Sequence, residues 1–195
     1  IEGNNHYIDL KNLTGGRIFK WTGSGSITIQ NLTFKNSHYA LTSATRGAAL
    51  YMDGSGSITF KNCRFINNVL PKITDSAGGA IYLLGFSSFT MYNCDFTDNH
   101  ADQSNGGAIM FNEECSNVKL YDCNFSDNSA AYGGAVMFNK NIENNIFERC
   151  TFIHNTAVVR GSAGCEGGAI DYYGNAINVT IKDCNFTNNT AKGDP

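Results

Sequence analysis

Nowhere in the 195 residues do Lys and Arg cluster; 14 of them stand against 17 Asp and Glu, for a net charge of −3. That leaves no electrostatic footprint for a nucleic-acid partner. No apolar run approaches the roughly 20 residues a helix needs to cross a bilayer. The opening Ile1-Glu2-Gly3-Asn4-Asn5 is polar and turn-like, unlike a secretory leader. C-x-x-C is absent and the histidines (His6, His38, His100, His154) are scattered, so neither a metal site nor a cofactor is expected. Only two prolines occur, charged residues make up 16%, and no apolar stripe follows a helical period. Composition does not break along the chain, so residues 1–195 are expected to form one domain.

What is abundant is a repeat. Gly78-Gly79-Ala80-Ile81 recurs as Gly106-Gly107-Ala108-Ile109, Gly133-Gly134-Ala135-Val136 and Gly167-Gly168-Ala169-Ile170. Weaker copies are Gly47-Ala48-Ala49-Leu50 and Gly15-Gly16-Arg17-Ile18. Each is followed by a phenylalanine: Phe34, Phe65, Phe96, Phe125, Phe152 and Phe186. A unit of about 30 residues, rich in Gly, Asn and alternating apolar residues, implies a strand-built solenoid. Its pattern stops at Ala191-Lys192-Gly193-Asp194-Pro195, so the chain is expected to be a fragment of a longer repeat protein.

Two residues before each Phe stand Leu32, Cys63, Cys94, Cys123, Cys150 and Cys184; three earlier stand Ile29, Phe60, Met91, Leu120, Phe147 and Ile181. Spacing of two within each half marks a strand with one buried face. The spacing of three across the halves places a corner at Asn31, Asn62, Asn93, Asp122, Arg149 and Asp183. Asn and Asp suit such a corner because they tolerate left-handed geometry; Arg149 does not fit. Asn145 is the one polar residue in an otherwise apolar column, after Ile27, Ile58, Phe89 and Val118. Three residues after each Phe comes Ser37, Asn68, Asn99, Asn128, Asn155 or Asn189, which predicts a ladder of stacked amides. The third strand is read with Ile18, Leu50, Ile81, Ile109, Val136 and Ile170 inward, followed two residues on by Lys20, Met52, Leu83, Phe111, Phe138 and Tyr172. The expected fold is all-β: a right-handed parallel β-helix of about six coils, three short strands per coil.

The phrases Gly-Gly-Ala-Ile and Phe-x-x-Asn resemble repeats of chlamydial polymorphic membrane proteins. The fuller Cys-x-Phe-x-x-Asn-x-x-Ala, as in Cys150 to Ala157 and Cys184 to Ala191, resembles archaeal adhesin-like surface proteins of methanogens. Asn5-His6-Tyr7-Ile8-Asp9, Arg17-Ile18-Phe19 and Ile29-Gln30-Asn31-Leu32-Thr33-Phe34 are similar to the opening coils of those proteins. The resemblance covers essentially the whole chain and implies an extracellular, surface-displayed β-helix engaged in attachment. A fold alone does not fix a function.

Seven cysteines invite a disulfide framework. Five share an inward column, where free thiols act as small hydrophobes, so stacked thiols are favoured over bridges. Cys115 and Cys165 lie off the column and are the candidates for a functional thiol. Parallel β-helices also serve carbohydrate lyases and hydrolases, which need paired carboxylates. Asp98 and Asp127 occupy equivalent positions on adjacent coils, with Asp95, Asp122 and Asp183 nearby. Their counterparts Asn36, Asn67, His154 and Asn188 are ordinary turn residues, and no Arg or Lys is placed to meet a uronate. The solvated-turn reading is therefore preferred, for catalysis and for a weak Ca²⁺ site alike. Sequons at Asn12, Asn31, Asn124, Asn178, Asn185 and Asn188 are compatible with glycosylation, although Asn-Phe-Thr repeats generate them by composition.

The outward column Phe19, Tyr51, Tyr82, Met110 and Met137, beside Ala49, Ala80, Ala108 and Ala135, is the expected binding site. It forms either an exposed apolar stripe or one covered by the loops Ser37–Arg46, Val69–Ala77 and Thr156–Glu166. The expectation is a non-enzymatic attachment domain for a glycan, cell-wall polymer or surface protein, with end-to-end self-association through unpaired strand edges. A carbohydrate-active enzyme and a structural spacer are the alternatives.

Overall fold

Each strand pairs in parallel with its counterpart one repeat away, and this pairing builds the whole molecule. The computed structural model describes residues 1–11, 16–38, 45–70, 76–113, 115–159 and 164–193, and every regular element among them is a strand. One face stacks Phe19–Gly23, Leu50–Gly54, Ile81–Leu84, Ile109–Phe111, Val136–Phe138 and Ile170–Tyr172. A second, larger sheet bends at its middle. In the first coil it is one strand, Ile27–Lys35, and in later coils it divides into pairs such as Ser57–Lys61 and Arg64–Ile66. The fold is a right-handed parallel β-helix of about five turns, slightly fewer than expected.

The corner residues behave as the spacing implied. Asn31, Asn62, Asn93, Asp122 and Asp183 have φ between 50° and 55°, and so does Arg149. Left-handed geometry is costly for a side chain of that size. Arg149 is held there by a two-pronged bond to Asp122 of the preceding coil, Nε–Oδ1 2.7 Å and Nη2–Oδ2 3.0 Å. At the Gly-Gly turn the two glycines serve different ends. Gly78 has φ +71°, whereas a Cβ on Gly79 would lie 1.9 Å from the carbonyl oxygen of Gly107 on the next rung. The first therefore sets the turn, and the second lets neighbouring rungs approach.

Inside, like stacks on like. The Phe34–Phe65–Phe96–Phe125–Phe152–Phe186 rings lie 4.6 to 4.9 Å apart and nearly parallel. Cys63, Cys94, Cys123 and Cys150 are buried, Cys184 is half-buried, and all are free thiols. Hydrogen bonding to Cys94 together with burial pushes the Cys63 thiol well above the ordinary range. The Asn ladder forms as expected. The Asn99 side-chain oxygen accepts from the Asn68 backbone N–H (3.1 Å) and amide (2.9 Å), while the Asn99 amide donates to Phe65 O (3.0 Å). Asn145 is fully buried, and its Oδ1 accepts from Val118 N at 3.0 Å, which replaces a strand hydrogen bond.

Three features differ from the expectation. His100–Asn105, Ser129–Tyr132, Thr156–Val159 and Thr190–Gly193 form a further small sheet, so the later coils carry more than three strands. Its strands were hidden because they bury only small side chains, such as Ala101, Ser104, Ala130 and Ala157. Ala49, Ala80, Ala108 and Ala135 belong to the main core, where the tight Gly-Gly turn draws them in, and not to the outer face. The first coil is shifted by one residue: Phe19 pairs with Leu50 and Lys20 with Tyr51. Phe19 and Trp21 therefore face inward against the core and Lys20 faces out, because this register buries two aromatics and solvates a charge.

Candidate binding groove

The strand after each Gly-Gly turn presents one outward residue per rung: Lys20, Tyr51, Tyr82, Met110, Met137 and Asp171. The residue just before each turn forms a second column, Arg46, Ala77, Asn105, Tyr132 and Glu166, linked rung to rung by parallel bridges. The left-handed glycine between them folds the second column alongside the first. The expected stripe is therefore the floor of a groove and not a flat surface. Tyr82, Met110 and Met137 are almost wholly buried at 1%, 1% and 3% exposure, in a cluster with Ala77, Leu84 and Tyr132. Tyr51 is half-buried and stacks on Tyr82 at 5.6 Å. Phe19 has no part in it. Of the loops expected to cover the stripe, residues 39–44, 71–75 and 160–163 lie outside the described residues.

A cavity of about 200 Å³ opens in this groove, with Arg46, Tyr82, Ser104, Asn105, Asn112 and Asn139 among its lining. The Tyr82 hydroxyl is buried without a hydrogen-bond partner, and burial pushes its pKa up to about 12. The Arg46 guanidinium sits over that ring at 5.3 Å from the centroid, as Arg17 does over Tyr51 at 5.0 Å. Arg46 was not among the expected site residues, because its column lies on the loop side of the glycine. The pre-glycine column was nonetheless present in the repeat alignment. Arg17 is anchored by bonds to Gly47 O (3.0 Å) and Arg46 O (2.6 Å).

Charge changes sign along the groove. Arg17, Lys20 and Arg46 stand at the first rungs, with the carboxylate of Asp53 accepting from the Tyr51 hydroxyl at 3.4 Å, and Glu166 and Asp171 stand at the last. Asp171 is 7% exposed with an unpartnered Oδ2. Burial, then the charge of Glu166, pushes its carboxyl above the usual range. A second, larger cavity of about 400 Å³ lies by the corner amides of Asn31, Asn62 and Asn93. Its polar groups satisfy one another: Asn62 donates to Asn31 (2.9 Å), Asn93 to Asn62 (3.0 Å), and Arg64 pairs with Asp95 (3.3 Å). The smaller groove cavity is the better candidate because it holds an unmet polar group.

The other sequence candidates are placed as follows. Asp98 and Asp127 are turn residues with φ 57°. Asp98 bonds His100 Nε2 at 2.7 Å, and Asp127 lies 3.7 Å from His154. His100 Nδ1 is 2.6 Å from Ser129 Oγ, which donates to Asp102 at 2.5 Å. The serine donates its proton to Asp102, so His100 is not placed as its base. Cys115 is a core residue, and burial raises its thiol pKa; Cys165 is a half-buried free thiol. Among the sequons, Asn124, Asn178, Asn185 and Asn188 are exposed. Asn31 is tied to Glu2 and Asn62, and Asn12 lies outside the described residues.

No helix among the described residues is long and apolar enough to cross a membrane. Neither a curated protein nor a solved structure matches the chain. The family profile described as right handed beta helix region matches residues 17–194. With rung pairing and a family match over nearly its whole length, the chain belongs to the right-handed β-helix family.

Proposed function

We propose that this β-helix is a non-enzymatic attachment module displayed at the cell surface, as in the archaeal adhesin-like proteins its repeats resemble, and that its ligand lies in the lateral groove. The observation that carries the reading is the cavity lined by Tyr82, whose buried hydroxyl has no partner, together with Arg46 and several amide side chains. Small concave sites with a few convergent polar groups are where ligands bind. The enzymatic alternative is less well supported, since Asp98 and Asp127 are turn residues that each stand beside a histidine and line neither of the two cavities described. The spacer alternative gives no role to the unmet groups of the groove.

Retention of cells or isolated cell walls on the immobilised 195-residue chain tests this. The chain should retain them, and Asn112→Trp, which fills the cavity from its half-buried rim, should abolish retention without changing the melting temperature. Retention equal to the parent's would move attachment away from the groove. Release of reducing or unsaturated sugar, lost in Asp98→Asn, would replace the attachment reading with an enzymatic one.

A further inference from the structure

We propose that the Tyr82 cavity captures the C-terminal carboxylate of a peptide whose chain runs along the groove toward Glu166 and Asp171. The inference rests on the groove being the attachment site and adds the chemistry of its ligand. Arg46 has no carboxylate partner among the described residues, and its guanidinium is held over the Tyr82 ring. An arginine so oriented offers a two-pronged donor that matches a carboxylate. Tyr82, 1% exposed, lines the same cavity, and its buried hydroxyl has no partner and is free to donate to a carboxylate seated there. At about 200 Å³ the space is below the roughly 300–1,000 Å³ of drug-sized sites, and fits one terminal residue.

The rest of the groove argues against a polymer charged at every unit. Rungs are about 4.8 Å apart, so the four steps from Arg46 to Glu166 span roughly 19 Å. A polyuronate lying there would bring carboxylates against Glu166 and the buried, unpartnered Asp171. A peptide bears one carboxylate at its end, followed by neutral amides that suit Asn105, Asn112 and Asn139. An amine or basic side chain further along would meet the acidic rungs.

The test is fluorescence anisotropy of the whole chain with a mixture of labelled hexapeptides, randomised in sequence and ending in a free carboxylate. The same mixture with amidated C-termini and labelled oligouronates form the other arms. The free-acid peptides should bind, and amidation should weaken them about tenfold or more, as expected for losing a charge-assisted bond. Arg46→Gln should cause a similar loss, and Tyr82→Phe a smaller one. Equal binding of amidated and free-acid peptides, binding of the oligouronates in their place, or no binding in any arm would overturn the inference. Each of those results would leave the groove reading intact if Asn112→Trp still abolishes retention of cell walls.

Discussion

The interior amide ladder and the lateral groove run the same length of the same solenoid, with the same rung spacing, and differ in whether their polar groups close on one another. In the ladder one residue type repeats, so each donor faces an acceptor one rung away. Asn128 is typical. Its oxygen accepts from the Asn99 backbone (3.1 Å) and side chain (2.9 Å), and its amide donates to Phe96 O (3.0 Å) and Asn155 Oδ1 (2.9 Å). In the groove the residue type changes from rung to rung, through Lys20, Tyr51, Tyr82, Met110, Met137 and Asp171, and the bonds do not close. Tyr82 and Asp171 keep buried atoms without partners. Repetition saturates hydrogen bonding, and departure from it leaves buried groups unmet, in the core at Asn145 Nδ2 and the Tyr172 hydroxyl as well as in the groove.

Breaking the closed side should cost most. Asn128→Ala deprives several fully buried groups of partners at once, and each such group costs about 1–3 kcal/mol. A loss of about 3–5 kcal/mol in urea denaturation is expected, and a loss under about 1 kcal/mol would mean the ladder is not closed. Asp171→Asn probes the open side and should have a smaller effect of opposite sign. Burial raises the folded-state pKa of Asp171, so the folded protein binds that proton more tightly than the unfolded chain. Its contribution is present below the unfolded value of about 3.9 and is lost as pH rises through the folded value. The variant should therefore be more stable than the parent at pH 7, with the two converging below about pH 4. Denaturation midpoints across that pH range check the sign.

Much of the closed side was legible in the sequence because it is periodic. The Phe stack, the thiol column, the ladder from Ser37 to Asn189 and the left-handed corners all follow from spacing, and even Asn145 could be singled out. The groove was legible only in part. Tyr51, Tyr82, Met110 and Met137 were identified as one outward column, but burial of the last three depends on a neighbouring column across the glycine turn. Phe19 was misplaced because Gly15-Gly16-Arg17-Ile18 aligns plausibly one residue out, and only the burial of Phe19 and Trp21 decides the register. Arg149 at a corner makes sense only beside Asp122, a partner 27 residues away.

The most direct measurement of the contrast is the stability of Tyr82→Phe. This change deletes one oxygen and leaves the ring, its stacking on Tyr51 and the buried volume nearly intact. An unpartnered buried hydroxyl contributes no hydrogen bond, and removing it spares a desolvation cost. The account predicts a urea midpoint equal to or above that of the parent. A loss of about 1 kcal/mol or more, the worth of an intramolecular hydrogen bond, would show that the hydroxyl is already satisfied, and would contradict the open groove.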